Sequence, residues 1–457
     1  MSIFASLRRD QKEAIGLLQI GTFLEYFDLM LYVHLAVLLD GLFFPKTDPH
    51  TAALISAFAF CSTFVVRPFG ALIFGYIGDN MGRKNTVIIT TTMMALSCVL
   101  MANLPTYAEI GITAAWVVTI CRISQGLSSM GEIMGAEIYV AEITKPPVSY
   151  VAVSLISVAS SVGSMLALGV AALVMQTHMN WRIAFWAGAL IAIIGSVART
   201  RLRETPEFID MKTRLKKSLE DAKADGFEKH AELLLAVRSL NKEIVNKMTL
   251  FAYFLVYCGW PLSFYLAYMY FNPLLKSNFG YSPEMIITHN FFLSLIQLAS
   301  NLVWAFMCYK IHPLQILKWR GSFVFLLMLA IPLLTSNFTS SNEIFLVQAA
   351  ILILTLGGLP ADAVFIKHFP VYRRFTATSF LYALTRAVMY IITSFGLVYL
   401  GDYFGDYGLW VITLPVSGAF LWGVHYFIKL EIKFGDYVPR KERRIQEDEL
   451  AAKGFYA

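Results

Sequence analysis

Charged residues are scarce in this chain of 457 residues: Asp, Glu, Lys and Arg make up 15% of it, whereas soluble domains usually carry about 25%. Hydrophobic residues reach 57%, and they gather in runs as long as the roughly 20 residues that a helix needs to cross a bilayer. The shortage of charge excludes an ordinary soluble domain. It predicts an all-α integral membrane protein that has the lipid bilayer as a partner.

Cysteine and the usual catalytic motifs are also lacking. The five cysteines form no CxxC pair and no cluster with histidine, which argues against a disulfide framework and against a metal site. The chain has no HExxH, no GxxxxGK[ST] and no GxSxG, so zinc hydrolase, ATP-driven pump and serine hydrolase chemistry have no support. We expect neither an enzyme nor a cofactor.

Twelve apolar runs have the length of membrane-spanning helices. They lie at 14–39, 51–77, 86–104, 109–135, 149–176, 181–200, 248–274, 285–308, 314–335, 343–365, 376–400 and 408–429. Most Lys and Arg fall in alternate loops, and the intervening loops hold only Lys46, Arg182 and Lys276. Because basic loops stay on the cytoplasmic side, this pattern predicts that both termini are cytoplasmic. It also explains the net charge of +6 without nucleic acid.

A polar stretch divides the chain into six spans and six spans. We predict an N-terminal six-helix bundle at 1–200, a cytoplasmic linker with an amphipathic helix at 201–247, a C-terminal six-helix bundle at 248–430 and a charged cytoplasmic tail at 431–457. The linker is either a solvated connection or a regulatory segment. Two bundles joined in this way predict a pathway between them.

The loop between the second and third spans reads GYIGDNMGRK at 75–84. Gly75 and Gly82 permit a sharp turn and close backbone approach, and Asp79 can accept hydrogen bonds from the N-terminus of a neighbouring helix. Arg83 and Lys84 mark the cytoplasmic boundary. The loop is either a tight turn that fixes topology or a contact that forms and breaks between the bundles.

This loop resembles the signature G-x-x-x-D-x-x-G-R-K of the major facilitator superfamily. GTFLEYFDLMLY at 21–32, RISQGLSSMGE at 122–132 and LRETPEF at 202–208 further resemble its metabolite–proton symporter branch, which includes proline/betaine, citrate, α-ketoglutarate and shikimate carriers. The resemblance implies the major facilitator fold, a monomer, and a latch role for Asp79 and Arg83. The second-half copy of the loop, expected at 309–318, has lost its glycines and its acid.

Charged side chains at membrane depth are costly and usually mark a pathway. Glu25 and Asp28 share one face of the first span, and Arg67 and Arg122 lie at similar depth in the second and fourth spans, so we expect carboxylate–arginine pairing. The pair is either a permanent tie between helices or the proton-coupling site. Arg67 precedes a proline, which favours a structural role for it.

The fourth span continues from Arg122 with Gln125 on a face that also carries Glu132, seven residues on. Arg122 and Gln125 are predicted to bind substrate. Glu132 is predicted to be a second proton site or a gate. Glu137 and Glu142, nearer the end of the span, are interpreted as ordinary interface residues.

In the second half, Arg386 lies near mid-depth and is predicted to anchor a substrate carboxylate, unless an acid on another helix, such as Asp362 near the cytoplasmic end, pairs with it. Tyr257 and Trp260 belong to an aromatic stripe of the seventh span. The stripe either packs against helices and lipid or holds a quaternary ammonium group.

These features predict a secondary active transporter in the bacterial inner membrane. It would import a small carboxylate-bearing or zwitterionic metabolite such as proline or betaine with protons, by alternating access. A dicarboxylate or tricarboxylate carrier and a non-transporting sensor with the same fold are the alternatives.

Overall fold

The computed structural model describes residues 3–4, 7–44, 64–177, 180–199, 209–210, 212–213, 246–335, 338–371, 373–435 and 437. Within these ranges the chain is helical and contains no β-strand. The amphipathic helix predicted in the linker and most of the predicted tail lie outside the described residues.

The helices follow the predicted apolar runs. In the first half they are α1 Arg9–Phe43, α2 Arg67–Asn80, α3 Arg83–Asn103, α4 Tyr107–Ile110, α5 Ile112–Ile143, α6 Val148–Thr177 and α7 Arg182–Arg199. In the second half they are α8 Lys247–Tyr257, α9 Gly259–Tyr265, α10 Asn272–Phe279, α11 Pro283–Met307, α12 Pro313–Thr335, α13 Ser341–Ile353, α14 Asp362–Lys367, α15 Arg374–Ile391, α16 Leu397–Phe404 and α17 Gly408–Phe434. Two π-helical turns, Leu266–Tyr270 and Ile392–Gly396, join α9 to α10 and α15 to α16.

Seven helices in the described part of the chain are long and apolar enough to cross a membrane. Many of their outward side chains are large and hydrophobic, such as Phe69, Trp116 and Leu346, which are 62%, 65% and 67% exposed. Side chains of this kind suit contact with lipid rather than water. The number of twelve spans and the cytoplasmic position of both termini stay predictions.

Each half of the chain packs mainly on itself. In the first half α1 packs on α6, and α3 packs on α5 and α7; in the second half α8 and α12 pack on α17, and α11 packs on α13. The halves meet most extensively where α2 contacts α15 and where α6 contacts α11.

Close helix contact explains one glycine in α6. A Cβ atom added to Gly163 would stand 2.2 Å from the carbonyl oxygen of Phe23 in α1. A side chain there would push the two helices apart, so this crossing requires glycine.

Candidate functional site

A cavity of about 490 Å³ lies between the two halves. Its first-half wall comes from α1, α5 and α6, and its second-half wall comes from helices between α8 and α15. The charged side chains that line it are Glu137, Lys276, Arg320, Asp362 and Arg386. The cavity therefore brings together ionisable groups that are far apart in the sequence.

At one end of the cavity the two halves are joined by Asp79. Its carboxylate accepts hydrogen bonds from the backbone N–H groups of Phe375 (3.2 Å) and Thr376 (2.9 Å) and from the Thr376 hydroxyl (2.6 Å). These donors belong to the first turn of α15, where free N–H groups and the helix dipole favour an anion. The predicted contact between Asp79 and a helix N-terminus is confirmed, while its function as a latch stays a prediction.

The backbone around Asp79 is shaped by glycine. A Cβ atom on Gly75 would stand 2.7 Å from the Thr376 Cα atom, so α2 and α15 come together because this position has no side chain. Gly82 has a φ of 110°, a conformation that glycine adopts readily. Lys84 follows in the first turn of α3, and the side chain of Arg83 lies outside the described part of the structure.

A second link at the same end is an ion pair. Arg374 in α15 places its Nη1 atom 3.1 Å from Oε1 of Glu142 in α5, and the Glu142 side chain is fully buried. The interpretation of Glu142 as an ordinary interface residue stays a prediction, and its basic partner on the other half was not evident from the sequence alone.

The tenth apolar run is broken beside the cavity. Helix α13 ends at Ile353, an irregular segment follows, and α14 begins at Asp362. Arg320 of α12 donates hydrogen bonds to two backbone carbonyls of this segment, that of Leu359 at 2.6 Å and that of Thr355. Irregular backbone at membrane depth is tolerated where protein groups satisfy it and where it lines a cavity.

The break places Asp362 on the cavity wall. Oδ1 of Asp362 accepts a hydrogen bond of 2.5 Å from the hydroxyl of Tyr257. Asp362 is buried, with 4% of its surface exposed. A Cβ atom on Gly358 would stand 1.9 Å from that Oδ1, so glycine makes room for the carboxylate. Asp362 thus lines the cavity, and its predicted position near the cytoplasmic end stays a prediction.

Arg386 also lines the cavity, as expected of an anchor. Its Cζ lies 3.3 Å from the ring centroid of Tyr382 and 5.0 Å from that of Trp260, and its Nη1 donates to the Tyr382 carbonyl at 3.3 Å. Its Nε has no hydrogen-bond partner among the described residues. The guanidinium therefore keeps donor capacity while aromatic faces hold it in place.

Glu137 is a cavity residue that the sequence interpretation missed. It is 2% exposed; its Oε1 accepts from the Ser157 hydroxyl at 3.1 Å, and its Oε2 has no hydrogen-bond partner in the described ranges. A buried carboxylate in an apolar helix is a candidate functional position. Its spacing of seven residues from Met130 and of fourteen from Ile123 does not distinguish it from a surface acid, so no periodic signal reveals it.

Asp28 and Arg122 are joined by an amide. Gln125 donates through its Nε2 to Oδ2 of Asp28 and accepts at its Oε1 from Nη1 of Arg122 at 3.0 Å. The direct carboxylate–arginine pair expected here is thus replaced, for Asp28, by a relay through Gln125. All three are at most 3% exposed and are not among the residues that line the cavity.

The remaining predicted site residues with described side chains do not line the cavity. Glu25 and Arg67 are 1% and 2% exposed and also lie off the cavity wall, and the Arg67 guanidinium lies 4.6 Å from the ring centroid of Phe64. The side chain of Glu132 lies outside the described part of the structure. The proposed roles of Glu25, Asp28, Arg122, Gln125 and Glu132 in binding or proton coupling stay predictions.

One wall of the cavity is aromatic. Tyr257, Trp260, Phe264 and Tyr268 all line it, and the rings of Trp260 and Phe264 are stacked with centroids 5.2 Å apart. Tyr253, the first member of the predicted stripe, is fully buried and is not among the lining residues. The stripe therefore faces the cavity over most of its length rather than lipid.

Another part of the wall is polar and adjoins the aromatic part, because the Tyr268 hydroxyl donates to Oε1 of Gln297 at 2.9 Å. It consists of Ser157, Ser160, Ser161 and Ser164 of α6 and Asn290, Ser294, Gln297 and Asn301 of α11. The two helices are tied by a hydrogen bond of 2.9 Å from Asn301 Nδ2 to the Ser161 hydroxyl. The cavity can accordingly hold a ligand with one polar and one apolar face.

Residues 17–366 match the family model described as "Sugar (and other) transporter". The proline/betaine transporter of Salmonella typhimurium is 32% identical over 222 residues, which are 47% of this chain and 44% of that protein. The matched stretch thus spans less than half the length of that relative. A putative metabolite transport protein of Haemophilus influenzae is 28% identical over 410 residues, 84% of this chain and 90% of that protein.

Among solved structures, the major facilitator superfamily proton:xylose symporter XylE is similar with a TM-score of 0.70. The sequence identity is 15%, and the similarity covers 92% of this chain and 95% of that chain. The human organic anion transporter MFSD10 has a TM-score of 0.63 at 17% identity, over 92% of this chain and all of that chain. At these identities the comparison concerns the fold.

Proposed function

The chain belongs to the sugar (and other) transporter family of the major facilitator superfamily, and from that premise we propose that it is a proton-coupled secondary active carrier for a small carboxylate-bearing or zwitterionic metabolite. Membership of this family makes it a membrane transport protein and not an enzyme.

The observation that carries the proposal is the position of Arg386. It lies on the wall of a cavity between the halves, with donor capacity left over, and it shares that wall with two buried carboxylates. A guanidinium fork binds a carboxylate through two parallel hydrogen bonds. Arg386 anchors the substrate carboxylate, and the aromatic and polar walls hold the rest of the molecule.

Protons are taken up at the carboxylates of the cavity. Glu137 and Asp362 face the same space as Arg386, so protonation of either changes the electrostatic balance around a bound anion. Asp28 lies behind this wall and connects to Arg122 through Gln125. Glu25 and Asp28 act as a second proton site if the first-half helices open to water during the cycle.

The contacts at the Asp79 end support alternating access. In the predicted topology that end is cytoplasmic, and the cavity extends toward the opposite end, where Lys276 and Ile286 line it. The conformation is then outward-facing, with two six-helix bundles held together by Asp79 and by the Glu142–Arg374 pair. Import requires these contacts to break.

The names of relatives support a metabolite substrate and leave its identity open. Citrate-like anions are a second candidate, because the cavity is lined by more cationic than anionic side chains among the described residues.

An uptake assay tests the carrier. Labelled proline, glycine betaine, citrate and glucuronate are offered to proteoliposomes with an acidic exterior. The carrier proposal is supported if at least one of these four solutes is taken up and if a protonophore abolishes that uptake.

Two variants sharpen that assay. Arg386→Gln raises the half-saturating substrate concentration about tenfold or more, because hydrogen bonds to a charged group contribute about 1.5–3 kcal/mol. Lys318→Gln removes an exposed cation away from the cavity and leaves uptake unchanged. Binding of a carboxylate without gradient-driven uptake of any of the four would instead support a sensor.

A further inference from the structure

Resting on the proposed alternating access, we infer that the second-half loop 309–318 forms a latch of its own, in which aromatic rings replace the glycines and the acid that this loop lacks. His312 of the loop and Tyr150 of α6 make the contact between the halves, and Tyr437, which follows α17, holds it in place. We call the pair of His312 and Tyr150 the aromatic latch.

The aromatic latch lies where the repeat of the two halves places it. Asp79, in the loop between the second and third apolar runs, meets the first turn of α15, which belongs to the eleventh run. Exchange of the two halves relates these elements to the loop between the eighth and ninth runs and to α6 in the fifth run. His312 of that loop lies edge-to-face with Tyr150 in the first turn of α6, with ring centroids 5.8 Å apart.

The backbone at the start of α6 explains why a ring serves here instead of a carboxylate. The N–H group of Ser149 donates to the carbonyl of Lys145 at 2.9 Å. The N–H group of Tyr150 donates to the carbonyl of Pro147 at 3.2 Å, and proline itself has no N–H group. Few backbone donors are therefore left for an acid, whereas α15 offers two of them to Asp79. An edge-to-face pair of rings needs no such donor.

Groups of the second half fix the orientation of the His312 ring. Its Nδ1 accepts a hydrogen bond of 3.3 Å from the N–H group of Leu314. Its Nε2 lies 3.8 Å from Oε2 of Glu431, whose side chain is fully buried. The ring is thus held by α12 and α17 while its other contact, with Tyr150, crosses to the first half.

Tyr437 adds the tail to this contact. Its ring lies edge-to-face with that of His312, with centroids 4.7 Å apart. Its hydroxyl donates to Oε1 of Gln315 in α12 at 2.6 Å. Because Tyr437 packs on the same ring that meets the first half, its release loosens His312. The segment after α17 therefore controls how firmly the halves are joined.

Cysteine accessibility tests the aromatic latch without transport. A Ser154→Cys side chain, in a background without the five native cysteines, reacts with a charged thiol reagent only when the halves separate, because Ser154 is 1% exposed. We expect His312→Ala to raise this rate about threefold or more, since that is the factor by which an aromatic pair is stabilising. His312→Phe keeps a ring opposite Tyr150 and leaves the rate within about twofold of the parent.

Two comparisons separate a latch from a general structural role. In a double-mutant cycle with Tyr150→Ala, the second substitution adds little once the first is made. Tyr437→Ala raises the rate in the parent and has no further effect in His312→Ala. His425→Ala, which changes an exposed histidine of α17, is the matched control and leaves the rate unchanged. The melting temperature of each variant shows that the fold is retained.

An unchanged rate in His312→Ala overturns the inference, and so does an equally large rise in His312→Phe. Strictly additive effects of His312→Ala and Tyr150→Ala also overturn it. None of these results touches the carrier proposal, which fails separately if no solute enters proteoliposomes under a proton gradient. Proton-driven uptake together with an unchanged rate in His312→Ala would therefore sustain the carrier and refute the aromatic latch.

Discussion

The contact between Asp79 and α15 is open to a quantitative test through Asp79→Asn. The carboxylate accepts three hydrogen bonds from Phe375 and Thr376, and the amide keeps one acceptor oxygen and loses the charge. Hydrogen bonds to a charged group contribute about 1.5–3 kcal/mol each. The amide oxygen can keep both bonds from Thr376, so the variant loses the bond from Phe375 and the charge on the other two. At the lower value, one lost bond and two bonds of half strength weaken the closed end by about 3 kcal/mol, which is more than about a hundredfold in the equilibrium.

The rate of cysteine modification reports this equilibrium. Ser154 is 1% exposed, and its hydroxyl lies 3.4 Å from the carbonyl oxygen of Pro360 on the other half. A Ser154→Cys side chain, in a background without the five native cysteines, reacts with a charged thiol reagent only when the halves separate. Asp79→Asn raises this rate about a hundredfold, in proportion to the open population.

Asn80→Ala is the matched control. Asn80 is the exposed neighbour of Asp79, and its side chain donates only to the Tyr76 carbonyl of its own helix among the bonds described. This variant leaves the rate of Ser154→Cys modification unchanged. An unchanged rate in Asp79→Asn as well would refute the view that Asp79 holds the two halves together.

Three further changes have defined outcomes. Gly163→Ala lowers the melting temperature, because overpacking of a helix contact costs about 1–3 kcal/mol. Gly16→Ala is the control and does not lower it, since no atom lies within 4 Å of the added Cβ. Equal effects of the two substitutions would disprove that the crossing of α1 and α6 requires glycine. Glu431→Gln lowers the melting temperature because the fully buried carboxylate accepts from one lysine and one histidine at 2.7 and 2.6 Å, and a stable variant would show that these bonds contribute nothing. Glu142→Gln and Arg374→Gln form a double-mutant cycle with the rate of Ser154→Cys modification as its readout. We expect the two effects on this rate to be coupled by about 1 kcal/mol or more. Strictly additive effects of the two substitutions would argue against a functional pair.

The helices were predictable because apolar runs of this length have few alternatives in a membrane protein. The same holds for the contact of Asp79, since a carboxylate in a tight loop between helices commonly meets a helix N-terminus. Arg386 was predictable as a cavity residue because an arginine at mid-depth needs a polar environment. Each of these inferences depends on local sequence and on depth.

The surroundings of Glu137, Glu142 and Asp362 were not predictable because their partners come from other helices, and for Glu142 from the other half of the chain. Depth along a helix does not show which helix lies opposite, so neither the bond from Tyr257 to Asp362 nor the ion pair with Arg374 follows from spacing. The GGLP stretch at 357–360 does carry a signal, because glycine and proline in a hydrophobic run indicate a broken helix at a binding site.

The most direct test of the account is proton movement during transport. Proteoliposomes in weak buffer, with no imposed gradient, receive the carboxylate that binds most tightly, and a pH electrode follows the external medium. Proton symport predicts that the medium becomes alkaline as the solute enters, and that a protonophore abolishes the change. Solute entry with no change in external pH would contradict it.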